Sequence, residues 1–360
     1  MRHSNTRLEH TSGRGGSVQA FAPGRVNLIG EHTDYNDGLC LPFAVERGIT
    51  VTAEPAAGRA IEAHALDLGE SDRFDIGSAT GRTAERSAEA AWSLFVRGAV
   101  AELEREGIEL RPCRLAIAGD LPRGAGLSSS AALSIALCLA LCAVAGRAPP
   151  QPIALAKLCS RIENDWTGAQ TGLLDQLAAL CGERGRAVRI DMRGPQLRSI
   201  PLDLDDHVLA TLDSGAAREL AESGYNKRRE QCRAACRQLG IDSLRDATGE
   251  AGLPPPLDRR VRHVNTENDR VDAAVAALQT GDLPELGRLL DASHRSLRDD
   301  YEVSVPEVER AVDACKQADA LGARIMGGGF GGSVLALFPP GAQPPAGAVR
   351  VEPGRSARLL

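Results

Sequence analysis

The sequence predicts a chain of interspersed strands and helices, with a core large enough for two domains or for one large one. Its 360 residues supply the length. Hydrophobic residues at 43% and charged residues at 25% are the proportions of an ordinary soluble globular protein. Strand-like and helix-like segments follow one another along the chain, with no internal repeat.

Residues 1–16 are polar, with His, Ser, Arg and Gly and no apolar run, which predicts disorder and neither a signal peptide nor a membrane anchor. A short strand is expected at 18–22, ahead of Pro23-Gly24-Arg25. Helical spacing of Ala, Glu and Arg covers 82–107. A strand is expected at 114–118 and a buried helix at 127–145. The apolar run 131–145 is shorter than the roughly 20 residues a bilayer requires. Prolines at 149, 150 and 152 make a connection. A helix then begins near Ile153, with Leu155, Leu158, Cys159, Ile162 and Trp166 on one face. A strand at 187–190 and a turn at Arg193-Gly194-Pro195 follow, and a domain boundary falls near 195–205. The second half reads as helix at 226–239, a Pro-rich link at 252–256, helices at 267–279, 284–299 and 306–321, and a strand at 333–338. Pro and Gly through 339–355 suggest a loose segment.

A net charge of -6 argues against a nucleic-acid surface, which needs a basic excess. Only Lys157, Lys227 and Lys316 among the 42 basic residues are lysines, which matters for phosphate chemistry. The nine cysteines form no C-x-x-C pair and suit no zinc pattern. Cys138/Cys142 and Cys232/Cys236 are spaced to share a helix face as small hydrophobes, and the setting reads as a reducing cytoplasm.

Three segments carry candidate chemistry. Gly24–Gly38 packs Arg25, Glu31, His32, Thr33, Asp34 and Asp37 among turn residues. It reads either as a solvated loop or as a polyol site, where carboxylates and imidazole bond several hydroxyls at once. The run Gly124-Ala125-Gly126-Leu127-Ser128-Ser129-Ser130 lies between an expected strand and an expected buried helix. Glycines there admit an anion to backbone N–H groups at a helix N-terminus; the plainer reading is a serine N-cap, which explains one serine but not three. It is not a Walker A loop, and no H-R-D or D-F-G occurs. Gly327–Gly332 formally matches G-x-G-x-x-G, but it leads into a strand near the chain end. A structural hairpin therefore competes with a dinucleotide site, and a dehydrogenase is the distant reading. Glu163 alone reads as a solvated helix charge. Asp175, between Leu174 and Leu177, is the more suspicious, because ionised carboxylates are seldom buried without a partner.

In this order the three segments resemble the GHMP small-molecule kinase superfamily, and Gly24–Gly38 resembles the galactokinase signature almost residue for residue. Val96-Arg97-Gly98, Gly172–Gln176, Tyr225–Cys232, Val261-Arg262-His263 and Met326 agree with it as well. The resemblance runs from about 20 to 338. It implies an α+β, two-domain GHMP kinase fold. The N-terminal domain (17–200) would be of the ribosomal-protein-S5-domain-2-like type, and the C-terminal domain (201–360) ferredoxin-like, with the active site in the cleft between them. It further implies phosphoryl transfer from ATP to the anomeric hydroxyl of D-galactose. Asp175 is then the catalytic base and Arg25 the transition-state cation. Glu31, His32, Thr33, Asp34 and Tyr225 bind the sugar, Gly124–Ser130 bind ATP, and Ser130 and Glu163 hold Mg²⁺. The expected partners are galactose and ATP, with no nucleic acid and no membrane, and the chain is expected to act as a monomer.

The chain departs from that pattern at Ser333, where Cys is usual, and at Phe95 and Phe43, where Tyr and Cys are common. Residues 55–90 are compressed, and the tail after Phe338 does not resemble the usual closing strand. Two alternatives stay open. One is a non-catalytic galactose/ATP sensor, against which the complete Ser128-Ser129-Ser130-Ala131 run and Asp175 count. The other is a kinase for a related sugar such as N-acetylgalactosamine or arabinose.

Overall fold

The computed structural model describes residues 16–78, 91–121, 126–168, 171–216, 221–249 and 252–360. The first strand, β1 (Val18–Asn27), runs well past the expected 18–22. Pro23 lies inside it without breaking the sheet, because the register with β3 (Pro42–Pro55) shifts between Pro23 and Arg25 and so takes up the missing N–H. β3 also pairs with β6 (Cys113–Gly119). β6 lies parallel to β4 (Ala60–Ala65), and β4 forms a hairpin with β5 (Glu70–Asp75). The described part of the compressed region, 55–78, thus holds a plain hairpin at one edge of a six-stranded sheet, and the alternation through Ile49, Val51 and Ala53 was the signal for β3.

Helices α1 (Ala91–Arg105) and α2 (Ser129–Val144) belong to the layer on this sheet, with α2 packed on β1 and β3. α2 is apolar on nearly every side, as its burial among strands and helices demands. The helix expected over 82–107 is described only from Ala91, since 79–90 lie outside the described residues, as do 1–15. α3 (Pro152–Arg161) passes directly into a π-helical turn at Ile162–Thr167, and α4 (Leu174–Cys181) follows. The face of Leu155, Leu158, Cys159, Ile162 and Trp166 is buried as expected. A three-stranded sheet joins β2 (Leu39–Cys40) to the hairpin of β7 (Arg186–Asp191) and β8 (Gln196–Pro201).

The second half is a four-stranded sheet with long helices. Its chain order is β9 (Val208–Asp213), α5 (Ala221–Leu239), α6 (Leu257–Thr280), α7 (Leu283–Asp299), α8 (Pro306–Gln317), β10 (Gly322–Ile325), β11 (Ser333–Phe338) and β12 (Val349–Arg350). In space the order is β10-β11-β9-β12. α6 starts ten residues before the expected 267, since its first turns carry charges on the outside that blur the apolar period.

Residues 339–355 are not loose. Val351 N–H donates to Leu209 O (3.0 Å) and Gly354 N–H to Ala44 O (2.7 Å), and β13 (Arg358–Leu359) then pairs with β1. The chain end therefore straps the second sheet to the first. Between the two sheets a shared core brings Val26, Leu28 and Ile29 against Val271, Leu286 and Leu335. No helix among the described residues is long and apolar enough to cross a membrane, and all nine cysteines are free.

Candidate active site

The site begins where β1 ends. Gly24 has no room for a side chain beside Leu127 O and Leu121, so β1 runs close along the segment entering α2. Arg25 follows, with its backbone N–H on Leu127 O (3.1 Å). Its guanidinium donates from Nε to Asp175 Oδ1 and from Nη1 to Gly126 O, both at 2.7 Å. Asp175 opens α4, in the first turn where a helix N-terminus favours an anion. Its other oxygen, Oδ2, accepts a short hydrogen bond from Ser128 Oγ. One carboxylate thus ties together three segments that are far apart in sequence.

Ser128 does not act as a conventional N-cap. It adopts a left-handed backbone, and no side-chain cap hydrogen bond forms at the start of α2. With its hydroxyl committed to Asp175, the first amides of α2 have no capping side chain and remain available to an anion. Ser129 is exposed and Ser130 half-buried on the first turn. Gly124 and Ala125 lie outside the described residues.

Glu163 is not a solvated charge; it is 1% exposed. It lies in the π-helical turn Ile162–Thr167, a geometry found frequently at functional sites. Burial, reinforced by nearby Asp175, pushes its carboxyl up to about 7 against the opposing effect of Ser130, Thr171 and Gln176. Thr171 Oγ1 donates to its Oε2 (2.8 Å), while its Oε1 is buried with no hydrogen-bond partner among the described residues. An orphaned carboxylate oxygen on a residue that Ser130 also neighbours fits a hard cation that takes few protein ligands. No cluster of three or more acidic, His or Cys ligands occurs among the described residues, so a cation here would complete its shell with phosphate oxygens and water.

The turn after β1 forms the opposite wall. Asp34 lies directly over Gly172, where any side chain would collide with its carboxylate. Burial, with Asp175 close by, raises its carboxyl to about 6. His32 sits at φ +60, its ring tilted against Tyr225 (5.3 Å) and Tyr301 (4.7 Å). Burial, with His263 and the Arg228 guanidinium nearby, holds this imidazole well below its ordinary range, so it is neutral. Glu31 Oε1 accepts from Gly327 N (2.8 Å) and pairs with fully buried Arg324 (3.1 Å). Thr33 is fully buried, with its hydroxyl directed at Gly30 O and Leu39 O (2.9 and 2.7 Å). It closes the turn and does not face the cleft. Tyr225, on α5, packs under Gly328.

Gly327–Gly332 joins antiparallel β10 and β11. It opens no helix, which disposes of the dinucleotide reading. Positive φ at Gly327, Gly329, Phe330, Gly331 and Gly332 makes it a tight hairpin whose first amide reaches Glu31. Sequence reasoning named His263 only within a family match and missed Glu267, the centre of the layer behind the turn. Glu267 on α6 is fully buried and accepts from Gly30 N (3.0 Å), Ser293 Oγ (2.7 Å) and Arg270 Nε (2.7 Å). Burial opposes its charge, but Arg270, His263 and Arg324 win and hold it at about 2. His263 Nε2 lies 3.0 Å from Glu31 O. The available signal was His263 and Glu267 at i, i+4 on one helix face.

Comparison with known proteins agrees with this geometry. Residues 9–55 match the galactokinase galactose-binding signature, 93–183 the GHMP kinases N terminal domain and 274–351 the GHMP kinases C terminal model. A galactokinase of Roseiflexus sp. (strain RS-1) is 43% identical over 328 residues, covering 88% of this chain and 82% of its own. One from Thermotoga neapolitana is 39% identical, with 90% of each chain covered. The Lactococcus lactis galactokinase crystallised with galactose superposes with a TM-score of 0.86 at 31% identity, covering 96% of this chain and 95% of that one. A mevalonate kinase shares the fold at a TM-score of 0.64 and 17% identity, over 90% of this chain and 91% of its own. With the two-domain α+β architecture, the Arg25–Asp175–Ser128 constellation and relatives of this identity, the chain belongs to the galactokinase family of the GHMP kinases, which are ATP-dependent phosphotransferases.

Proposed function

We propose that the cleft transfers the γ-phosphoryl group of ATP to the anomeric hydroxyl of D-galactose, with Asp175 as the proton acceptor and Arg25 as the neutralising cation. The observation that carries it is the double commitment of Arg25, to Asp175 on one side and to Gly126 O beside the start of α2 on the other. The acceptor carboxylate and the phosphate loop are thereby held within one side chain's reach. Phosphoryl transfer runs through a loose transition state, so positioning and charge neutralisation are most of the catalysis. Arg25 stays cationic throughout and presents a planar fork. Asp175 has lone pairs beyond those used by Arg25 and Ser128 with which to take the hydroxyl proton. Glycines and the uncapped amides of α2 receive the phosphates, so no P-loop lysine is needed.

Ser130 and Glu163 would hold Mg²⁺, which supplies charge neutralisation on the phosphate oxygens. Glu31, His32, Asp34 and Tyr225 would recognise the sugar, while Thr33 shapes the turn that presents them. Domains of 17–200 and 201–360 are our proposed division, with the last residues crossing back to β1. A cytoplasmic setting and a monomeric state belong to the same proposal, the second checked by the mass of the protein in solution. ADP release across a panel of monosaccharides tests the reading: galactose is expected to lead. No release with any sugar would leave a sensor, and preference for N-acetylgalactosamine or arabinose would reassign the substrate.

A further inference from the structure

We propose that a buried hydrogen-bond chain, Cys232–Tyr301–Tyr35–His32, fixes the tautomer of His32 and makes its Nε2 an N–H donor to the sugar. The inference rests on the reading of His32 as a sugar contact. Four side chains from three parts of the chain meet in series. Cys232 Sγ lies 2.9 Å from Tyr301 Oη, Tyr301 Oη 3.1 Å from Tyr35 Oη, and Tyr35 Oη 2.8 Å from His32 Nδ1. Tyr301 is fully buried and Cys232 is 2% exposed, so no bulk water competes at the start of the series.

The direction of the chain follows from its far end. Asn36 Nδ2 donates to His32 O (2.8 Å) and also faces Cys232 Sγ at 3.7 Å. An amide nitrogen can only donate, so at that contact the sulfur is the acceptor. The oxygen of Tyr301 is the sulfur's other partner among the described residues, and it is the acceptor open to the thiol hydrogen, so the proposed chain starts there. Each hydroxyl has one hydrogen, so Tyr301 donates onward to Tyr35 and Tyr35 donates to His32 Nδ1. A neutral imidazole that accepts at Nδ1 carries its proton on Nε2. That nitrogen is buried in a turn that also carries Glu31 and Asp34; it makes no hydrogen bond of ordinary geometry among the described residues, and the Gly328 backbone beside the ring favours a proton on it. Glu31 and Asp34 can accept when ionised, so His32 supplies the donor that carboxylates lack. Tyr35, Tyr301 and Cys232 are thus positioning residues, acting through His32.

The test uses full-length protein with isotope-labelled histidine near neutral pH, the His32 signals being assigned by their loss in His32→Gln. Long-range nitrogen–proton NMR without sugar reads the tautomer, and steady-state kinetics read KM for galactose and for ATP. The parent is expected to show the Nε2–H form. Tyr301→Phe keeps the ring and removes one hydroxyl. It is expected to mix the tautomers and to raise the galactose KM by about threefold to tenfold with the ATP KM unmoved. Cys232→Ala removes the origin of the chain and is expected to do the same to a smaller extent. An Nδ1–H tautomer in the parent, or a raised galactose KM in Tyr301→Phe with no change of tautomer, overturns the chain. A tautomer that mixes while the galactose KM stays put overturns its link to the sugar, and with it His32 as a sugar contact.

Discussion

Replacing Asp175 by Asn removes a charge and one acceptor while keeping shape, and the structure sets the size of both effects. Arg25 and Asp175 side chains are 9% and 20% exposed, so the pair is largely, though not wholly, desolvated. Removing one partner of a buried pair outright costs about 3–5 kcal/mol. Asparagine still offers Oδ1 to Arg25 Nε, and Arg25 keeps Gly126 O. The expected loss is therefore nearer about 1–3 kcal/mol, the cost of one unsatisfied polar group, here Ser128 facing an amide in place of Oδ2. Turnover is expected to fall much further, by roughly 10²–10⁴-fold, as for removal of a positioned base. ATP binding should largely survive, since the loop entering α2 keeps every residue and loses only the bond from Ser128 to Oδ2. Single-turnover phosphoryl transfer, measured beside thermal melting and nucleotide affinity, separates the two effects. Arg25→Lys provides the companion measurement, because it keeps charge and loses the fork that spans Asp175 and Gly126. A folded Asp175→Asn protein that turns over near the parent rate would refute the acceptor role, and a loss of ATP affinity as large as the loss of turnover would refute the separation of subsites.

Three further outcomes follow from the same geometry. Glu163 is raised from 4.5 to about 7 in the fold. Its contribution to stability is therefore present below pH 4.5 and lost as pH rises through about 7, a decline read in the metal-free protein as a melting temperature that falls relative to Glu163→Gln between pH 5 and pH 8, since buried His32 and His263 change the absolute value in the opposite sense. Glu163→Gln should also raise the Mg²⁺ concentration needed for activity; unchanged metal dependence would reject the ligand assignment. Galactose should be used over its C4 epimer glucose by roughly 10–100-fold in kcat/KM, since an inverted hydroxyl leaves a buried group unpaired. Asp34→Ala should weaken galactose use sharply, and equal efficiency on both sugars in the parent would count against the site. Deleting 355–360 removes the bonds of Ala357 N–H to Ala179 O (2.8 Å) and Leu360 N–H to Gln19 O (2.9 Å) along with β13. It should lower stability by about 1–3 kcal/mol in denaturant melts; an unchanged midpoint would show the strap to be idle.

What the sequence by itself determined is local. The turn of Gly24–Gly38, the serine run entering α2 and the glycines before β11 were legible because turn chemistry, helix starts and left-handed glycines are written in neighbouring residues. The long helices and the face of Leu155 through Trp166 were legible for the same reason, through their period. The edge hairpin β4–β5 and strand β9 were not read, because short strands are specified by the strands they pair with. Glu163 alone looked like a surface charge; only the π-helical turn and its packing bury it. Arg25 and Asp175 are 150 residues apart, and no pattern along the chain says that one guanidinium spans from Asp175 to Gly126. The grip of Glu267 and His263 on the Gly30–Glu31 backbone, the tyrosine series behind His32 and the return of the tail to β1 are likewise decisions of the tertiary structure. The physical reason is common to all of them. A residue type declares which bonds it can make, but the partner, and the desolvation that gives the bond its strength, exist only once distant segments have packed together.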